Sequence, residues 1–197
     1  MILAEKLKQF NLILASASPR RAELLTQMQL PFTVAEKFDC NESYHKELCS
    51  DMVAKFLSTV KSMAYDKILA KTDILLTADT VVVCKDKVLG KPKSRQEAVD
   101  MLKKLSGYTH RVVSGVTLRS VDKFDCFSDS TMVSFRELNS EEIEYYADKF
   151  APMDKAGSYG VQEWIGLVGI EKIIGSFYNV MGLPTEKLYR KLEKFIG

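Results

Sequence analysis

Apolar and polar positions along this chain fall into runs of contrasting period. Leu12-Ile13-Leu14-Ala15 is a short unbroken apolar run and predicts a buried strand. Ser16 to Ser18 ends it. Pro19 then suits the first position of a helix, with Ser18 before it as the N-cap. Gln29-Leu30-Pro31 closes that helix, and Phe32 to Ala35 predicts a short strand. Residues 36–46 are polar and without period, as a loop would be. Leu48, Met52, Phe56, Val60 and Met63 recur every three or four positions, which predicts one long amphipathic helix over Leu48–Leu69.

The second half is read in the same way. Asp73 to Ala78 and Val81 to Cys84 are apolar runs separated by Asp79-Thr80, and Asp86-Lys87 reads as a hairpin tip. Ser94-Arg95-Gln96-Glu97 has the pattern of a capping box, and the helix it opens is closed by Gly107. His110 to Leu118 predicts a central strand, and the alternation over Phe124 to Phe135 predicts one or two more, as an antiparallel pair. Asn139-Ser140-Glu141-Glu142 opens a helix that runs to Lys149. Leu167–Ile174 and Phe177–Val180 read as a hairpin turning at Gly175-Ser176, and Pro184 introduces a final helix that buries Leu188, Leu192 and Phe195. Helices and strands are interleaved but hairpins occur too, so the fold class is mixed α/β rather than a strict βαβ repeat.

Composition narrows the function more than the fold. At 197 residues, 46% hydrophobic and 27% charged, the chain suits a single soluble domain over residues 1–197. The net charge of +2 is too small to favour a nucleic-acid or acidic-membrane partner. Four cysteines without a C-x-x-C pair and only two histidines argue against a zinc site and for free thiols in a reducing compartment. No leader pattern and no membrane-length apolar run is present, and a cytoplasmic enzyme is the expectation.

The candidate chemistry sits where these patterns break. Arg20 and Arg21 fall in the first turn of a helix, where the dipole disfavours cations. With Ser16 and Ser18 beside them, an anion such as a phosphate chain would turn that penalty into a gain. The alternative is an ordinary strand–helix junction with solvated arginines. Asp79 interrupts an apolar run, and an interior carboxylate needs a cation, a metal or several donors. The alternative there is a turn in which Asp79 bonds its own backbone. Lys91 lies between Gly90 and Pro92, which fix the backbone and aim its ammonium. Asp39 and Glu42 lie in the polar loop and face either solvent or a metal. The segment Pro152–Gln162 is long and rich in small residues, and Gln162 carries an acceptor and a donor together, as reading a nucleobase edge requires. Serine, arginine, carboxylate and lysine with no His-based triad and no Walker pattern suit metal-assisted attack of water on a phosphoanhydride.

Six stretches in order carry a resemblance: Ser16-Ala17-Ser18-Pro19-Arg20-Arg21, Ala78-Asp79-Thr80-Val81, Leu89-Gly90-Lys91-Pro92, Leu105-Ser106-Gly107, Asp154 through Gln162, and Val180-Met181-Gly182-Leu183-Pro184. Together they resemble the Maf-like nucleoside triphosphate pyrophosphatases, over nearly the whole chain. The resemblance implies a mixed, strongly curved β-sheet flanked by helices, with two lobes and a central cleft. It implies hydrolysis of a nucleoside triphosphate to the monophosphate and pyrophosphate with a divalent cation, Mg2+ or Mn2+. Asp79 matches the proton acceptor, and Lys61 and Lys91 match lysines of the active cleft. Arg20, Thr80 and Gln162 match positions tied to substrate choice. Glu42 is the counterpart of a loop glutamate that joins Asp79 in holding the metal, with Asp39 as the alternative. The loop resembles the branch acting on dTTP and UTP, modified pyrimidine triphosphates being further candidates. Glu163-Trp164 depart from the small residue common after Gln162, and their bulk is expected to narrow or reshape the base pocket. A homodimer is compatible with these features. The rival readings are a pyrophosphatase that clears non-standard purine triphosphates and a non-catalytic regulator of septum formation.

Overall fold

A computed structural model describes residues 2–197 of the chain. The strands are β1 (Asn11–Leu14), β2 (Thr33–Val34), β3 (Asp73–Cys84), β4 (Lys87–Leu89), β5 (Thr109–Arg119), β6 (Phe124–Phe135) and β7 (Ile170–Ile174). They form one seven-stranded sheet in the order β2-β1-β3-β5-β6-β7, with β4 paired to β3 off that path. β1 runs parallel to β2 and β3, whereas β4 and β7 pair antiparallel with β3 and β6. The sheet is therefore mixed, as the interleaved pattern implied. The helices are α1 (Leu3–Leu7), α2 (Pro19–Gln27), α3 (Ser50–Ala64), α4 (Arg95–Leu105), α5 (Ser140–Phe150), α6 (Trp164–Gly169), α7 (Phe177–Met181) and α8 (Thr185–Ile196). Among the described residues, no helix is long and apolar enough to cross a membrane. Two compact units divide the chain: the first takes the segment up to Asp79, Ser114–Asp129 and Gly182–Gly197, and the second takes Thr80–Val113 and Ser130–Met181.

In the first unit α8 buries Leu188, Leu192 and Phe195, as its period predicts. It is tied down by Lys187 to the Ser128 carbonyl at 2.7 Å and by Lys191 to Asp125 at 2.9 Å. α1 had no signature in the sequence reading. It is only five residues long, and it buries Leu3 and Leu7 while its Leu3 N–H donates to the Tyr189 hydroxyl at 3.2 Å.

The largest correction concerns α3. It spans Ser50–Ala64 rather than reaching Leu69, and the stripe read as its core face is turned outward: Met52, Phe56 and Met63 are exposed. The buried face is Val53, Ala54, Leu57, Ser58 and Ser62. The cause lies across the helix. A Cβ added to Gly115 of β5 would collide with the backbone of Ala54 and Lys55, so the helix lies directly on that glycine. At that separation only small side chains fit between helix and strand, and the larger apolar ones are displaced to the far face.

The second unit has its own core, built from Val82, Leu89, Val99, Leu102, Leu105, Val112, Val133, Phe135, Tyr146, Tyr159 and Ile165 among others. Ser94 caps α4 and Asn139 forms a reciprocal capping box with Glu142 on α5, both as the sequence implied. Of the one or two strands expected over Phe124–Phe135, one is present. Two other expectations are corrected. The β3–β4 turn is Lys85-Asp86, both in left-handed conformation (φ 49° and 59°), so the tip lies one residue earlier than read. The hairpin expected after Leu167 is a helix, a strand and a second helix, α6-β7-α7. Ser176 decides the last of these. Its side chain accepts from the Asn179 N–H at 3.3 Å and its carbonyl from the Val180 N–H, which starts a helix where a strand would have continued.

Candidate active site

Asp79 ends the first segment of the first unit. The apolar runs flanking it join into one twelve-residue strand, so Asp79 is mid-strand and the turn reading is excluded. β3 alternates faces, which places Thr77 and Asp79 on one side. α3 repeats every three to four residues, which places Ser58 and Lys61 on one side. The two periods meet. The Thr77 hydroxyl donates to the Ser58 carbonyl at 2.7 Å, and one helical turn further on the Lys61 ammonium reaches Asp79 Oδ1 at 2.5 Å. Ser58 is held in turn by a 2.9 Å hydroxyl contact with Thr117 of β5. The Asp79 side chain is 11% exposed and that of Lys61 is 16% exposed, so each supplies the countercharge that makes the other's burial tolerable.

Lys61 also touches Glu42 Oε2, at 3.2 Å. Glu42 comes from the loop between β2 and α3, and its side chain is half exposed. Two carboxylates from distant parts of the chain thus converge on one ammonium. Asp39, the alternative to Glu42, is solvent-exposed. Cys40 lies close to the same group. Burial, reinforced by the negative charge of Glu42 and Asp79, pushes its thiol pKa up against the opposing pull of Lys61, which disfavours the thiolate.

Among the described residues no group of three or more His, Cys, Asp or Glu could hold a metal ion by itself. The Glu42–Asp79 pair nevertheless suits a hard divalent cation of the magnesium kind. Such an ion takes one or two carboxylates and completes its shell with water and substrate phosphate.

Ser18 is extended at the N-cap of α2, yet its side chain makes no capping bond. Ser16 fills the gap: its hydroxyl accepts from the Ser18 N–H at 3.3 Å and from Arg21 Nη1 at 2.9 Å. Arg21 is buried, and its Nε donates to the Gly182 carbonyl at 2.9 Å. Gly182 stands at φ 121°, which explains the glycine of the Val180–Pro184 stretch. Burial lowers the Arg21 pKa, and Arg20 adds to this, while Asp79 and Glu42 oppose it. The guanidinium, both carboxylates and Arg20 therefore share one electrostatic neighbourhood in the first unit. Arg20 is half-buried in the first turn of α2.

Thr80, Lys91 and Gln162 belong to the second unit. Thr80 is half-buried on β3, and Lys91 and Gln162 are exposed. Gln162 borders an open groove of about 560 Å3 whose walls include Val161, Leu167, Ile170, Ile173 and Phe177.

The loop that carries Gln162 is held at many points. Gly157 donates to the Gly90 carbonyl at 3.0 Å, and a Cβ there would lie 2.8 Å from Val82 Cγ2. Gly157 and Ser158 are both left-handed, at φ 68° and 62°. Ser158 donates to Met101 Sδ at 3.1 Å, and the Tyr159 hydroxyl meets His110 Nε2 at 2.7 Å. The Glu163 carboxylate turns inward to Lys155 and Tyr146, and Trp164 packs edge-on against Tyr145 at 5.0 Å. Sequence reading missed Lys155 and Tyr146.

This is the architecture of a mixed α/β protein with a carboxylate–lysine centre in one unit and a Gln-bearing loop in the other. A family profile described as "Maf-like protein" matches residues 11–195, and the chain belongs to that family. It is 47% identical over 95% of its length to a dTTP/UTP pyrophosphatase of Bacteroides fragilis, covering 97% of that protein. It is 46% identical over 98% of its length to a dTTP/UTP pyrophosphatase of Parabacteroides distasonis, covering all of it. A solved HAM1 protein of Coxiella burnetii aligns over 94% of this chain and 99% of its own at 12% identity, with a TM-score of 0.49, a likeness too slight to build on.

Proposed function

We propose that the chain hydrolyses dTTP and UTP to the nucleoside monophosphate and pyrophosphate. The observation that carries this reading is the convergence of Asp79, Lys61 and Glu42 in a chain nearly half identical to dTTP/UTP pyrophosphatases along almost all its length. Water attacks the α-phosphorus, and the bridge to the β-phosphate breaks. Asp79 accepts the proton that the water gives up. Lys61 holds the Asp79 carboxylate in place until then, and Lys91 and Arg20 offset charge on the phosphate chain. A divalent cation, Mg2+ or Mn2+, would be held by Glu42 and Asp79 and would supply polarisation of the phosphate oxygens. Thr80 and Gln162 set the choice of base. Uracil and thymine share an N3–H flanked by two carbonyls, which the Gln162 amide complements, whereas cytosine reverses that pattern.

A cytoplasmic setting agrees with four free cysteines, and the small net charge speaks against nucleic acid as a partner. Neither membrane attachment nor a partner beyond the substrate and a second copy of the chain belongs to this reading. The test is a panel of nucleoside triphosphates with Mg2+ or Mn2+ in 18O-water, scored for phosphate and pyrophosphate separately. The reading expects pyrophosphate from UTP and dTTP, with label in the monophosphate. Release of phosphate, label in the pyrophosphate, or a preference for GTP or ITP would overturn it.

A further inference from the structure

In the second unit, Tyr146, Gly160 and Glu163 close a ring of hydrogen bonds within the loop that carries Gln162, and Lys155 is attached to it through Glu163. The Lys155 side chain is nearly buried, and its ammonium lies 2.8 Å from Asp154 Oδ1 and 3.0 Å from Glu163 Oε1. The other oxygen of Glu163 accepts the Tyr146 hydroxyl. That hydroxyl in turn accepts the Gly160 N–H at 3.0 Å. The Glu163 N–H donates to the Gly160 carbonyl at 3.0 Å, so residues 160–163 form a turn with Gln162 at its third position. Glu163 precedes α6 as its N-cap residue but makes no side-chain cap bond. Its carboxylate is given up to the interior instead. A Cβ at Gly160 would lie 2.7 Å from Glu163 Cδ, so a side chain there would push the Glu163 carboxylate out of its place. Gly166 lies against the Val161 carbonyl, closing the far side.

The backbone restraints on the turn therefore fall on Gly160, Val161 and Glu163, all within two residues of Gln162, while the Gln162 side chain is left exposed. Hydrogen bonds that lock a backbone reduce the freedom a side chain must lose on binding. We infer that Glu163, bridged to Lys155 and Tyr146, is a positioning residue for base choice, holding the Gln162 amide in one orientation. This rests on the proposed role of Gln162 as reader of the base. Glu163 touches no substrate in this account. It fixes the direction from which the amide meets the O4 and N3 edge.

The experiment compares UTP with CTP, measuring kcat and KM for each, in Gln162→Ala, Glu163→Gln, Lys155→Met, Lys155→Arg, Tyr146→Phe and the Gln162→Ala/Glu163→Gln pair. Glu163→Gln keeps the shape but removes the charge that holds Lys155. It is expected to lower the UTP-to-CTP ratio of kcat/KM about tenfold, chiefly through a higher KM for UTP. Lys155→Met should do the same, and Lys155→Arg, which keeps the cation, should restore the ratio to within about threefold. Because both residues act through one amide, the double variant should be no less selective than Gln162→Ala alone. Should Glu163→Gln fail to fold, Tyr146→Phe, which deletes one hydroxyl, decides the matter by the same ratio. If Gln162→Ala lowers the ratio while Glu163→Gln and Tyr146→Phe leave it intact, the positioning role is wrong and the base-reading role stands. If Gln162→Ala itself leaves the ratio intact, the base-reading role falls and the positioning role with it.

Discussion

The two irregular loops of this protein are built in opposite ways. The segment 152–163 in the second unit is pinned by a buried lysine, two left-handed residues, an interior tyrosine and a backbone hydrogen bond from Gly157 to Gly90. The segment 36–49 in the first unit is almost wholly exposed and has no regular structure. Its tethers are few: Phe38 edge-on against Tyr65, Glu36 on Lys67, and Glu42 on Lys61. The rigid loop carries the group proposed to discriminate between bases. The loose loop carries a carboxylate proposed to meet a cation. Discrimination needs an amide that does not adapt to the wrong partner. Cation binding needs a carboxylate that can leave Lys61 and turn toward a new charge, which a loosely held loop permits at little cost.

The largest expected effect lies between the two loops' roles, in the chemistry itself. Asp79→Asn should lower kcat about 10²- to 10⁴-fold on every substrate alike, with the fold intact by circular dichroism. Turnover near wild type would remove Asp79 from the reaction.

Next in size is a pH effect on the second unit. Burial pushes His110 down to about 4 from its ordinary 6.5, against a weaker opposing influence of the Tyr108 backbone. Between those values the unfolded chain binds a proton that the folded chain refuses. Stability is therefore complete above pH 6.5 and is lost as the pH falls toward 4, by up to about 3 kcal/mol. Urea unfolding at pH 7, 5.5 and 4 reads this directly. His110→Asn should flatten the dependence in that window, and an unchanged slope would contradict the assignment.

Backbone substitutions then separate the two loops. Gly157→Ala places a Cβ on a left-handed residue and against Val82, and should cost about 2 kcal/mol of stability. Glu42→Ala, on the exposed loop, should change stability by less than about 0.5 kcal/mol. Thermal unfolding of both variants checks the contrast, and comparable losses would erase it.

Much of this was legible in the sequence, for reasons that can be named. Asp79 stood out because a carboxylate interrupted an apolar run long enough to be one strand. The caps at Ser94 and Asn139 were legible because capping is local. What escaped was set by residues far apart in the chain. The outward face of α3 depends on Gly115, some sixty positions on, and periodicity alone cannot say which side of a helix meets a glycine. Phe177–Met181 is a helix because Ser176 caps it, and a five-residue apolar run has no period to distinguish helix from strand. Glu163 looked like bulk beside a base pocket because its partners, Tyr146 on α5 and Lys155 earlier in the same loop, are not its neighbours in sequence. The serine and arginine cluster was legible as a set but not in its division of labour, since Arg21 spends its fork on Ser16 and Gly182.

The separation of roles is tested most directly by one ratio, kcat/KM for UTP over kcat/KM for CTP, measured side by side in Gln162→Ala and Glu42→Gln. The account predicts that Gln162→Ala lowers the ratio by about tenfold or more. It predicts that Glu42→Gln lowers turnover on both substrates and leaves their ratio where it was. A ratio that falls in Glu42→Gln, or that survives in Gln162→Ala, would contradict it.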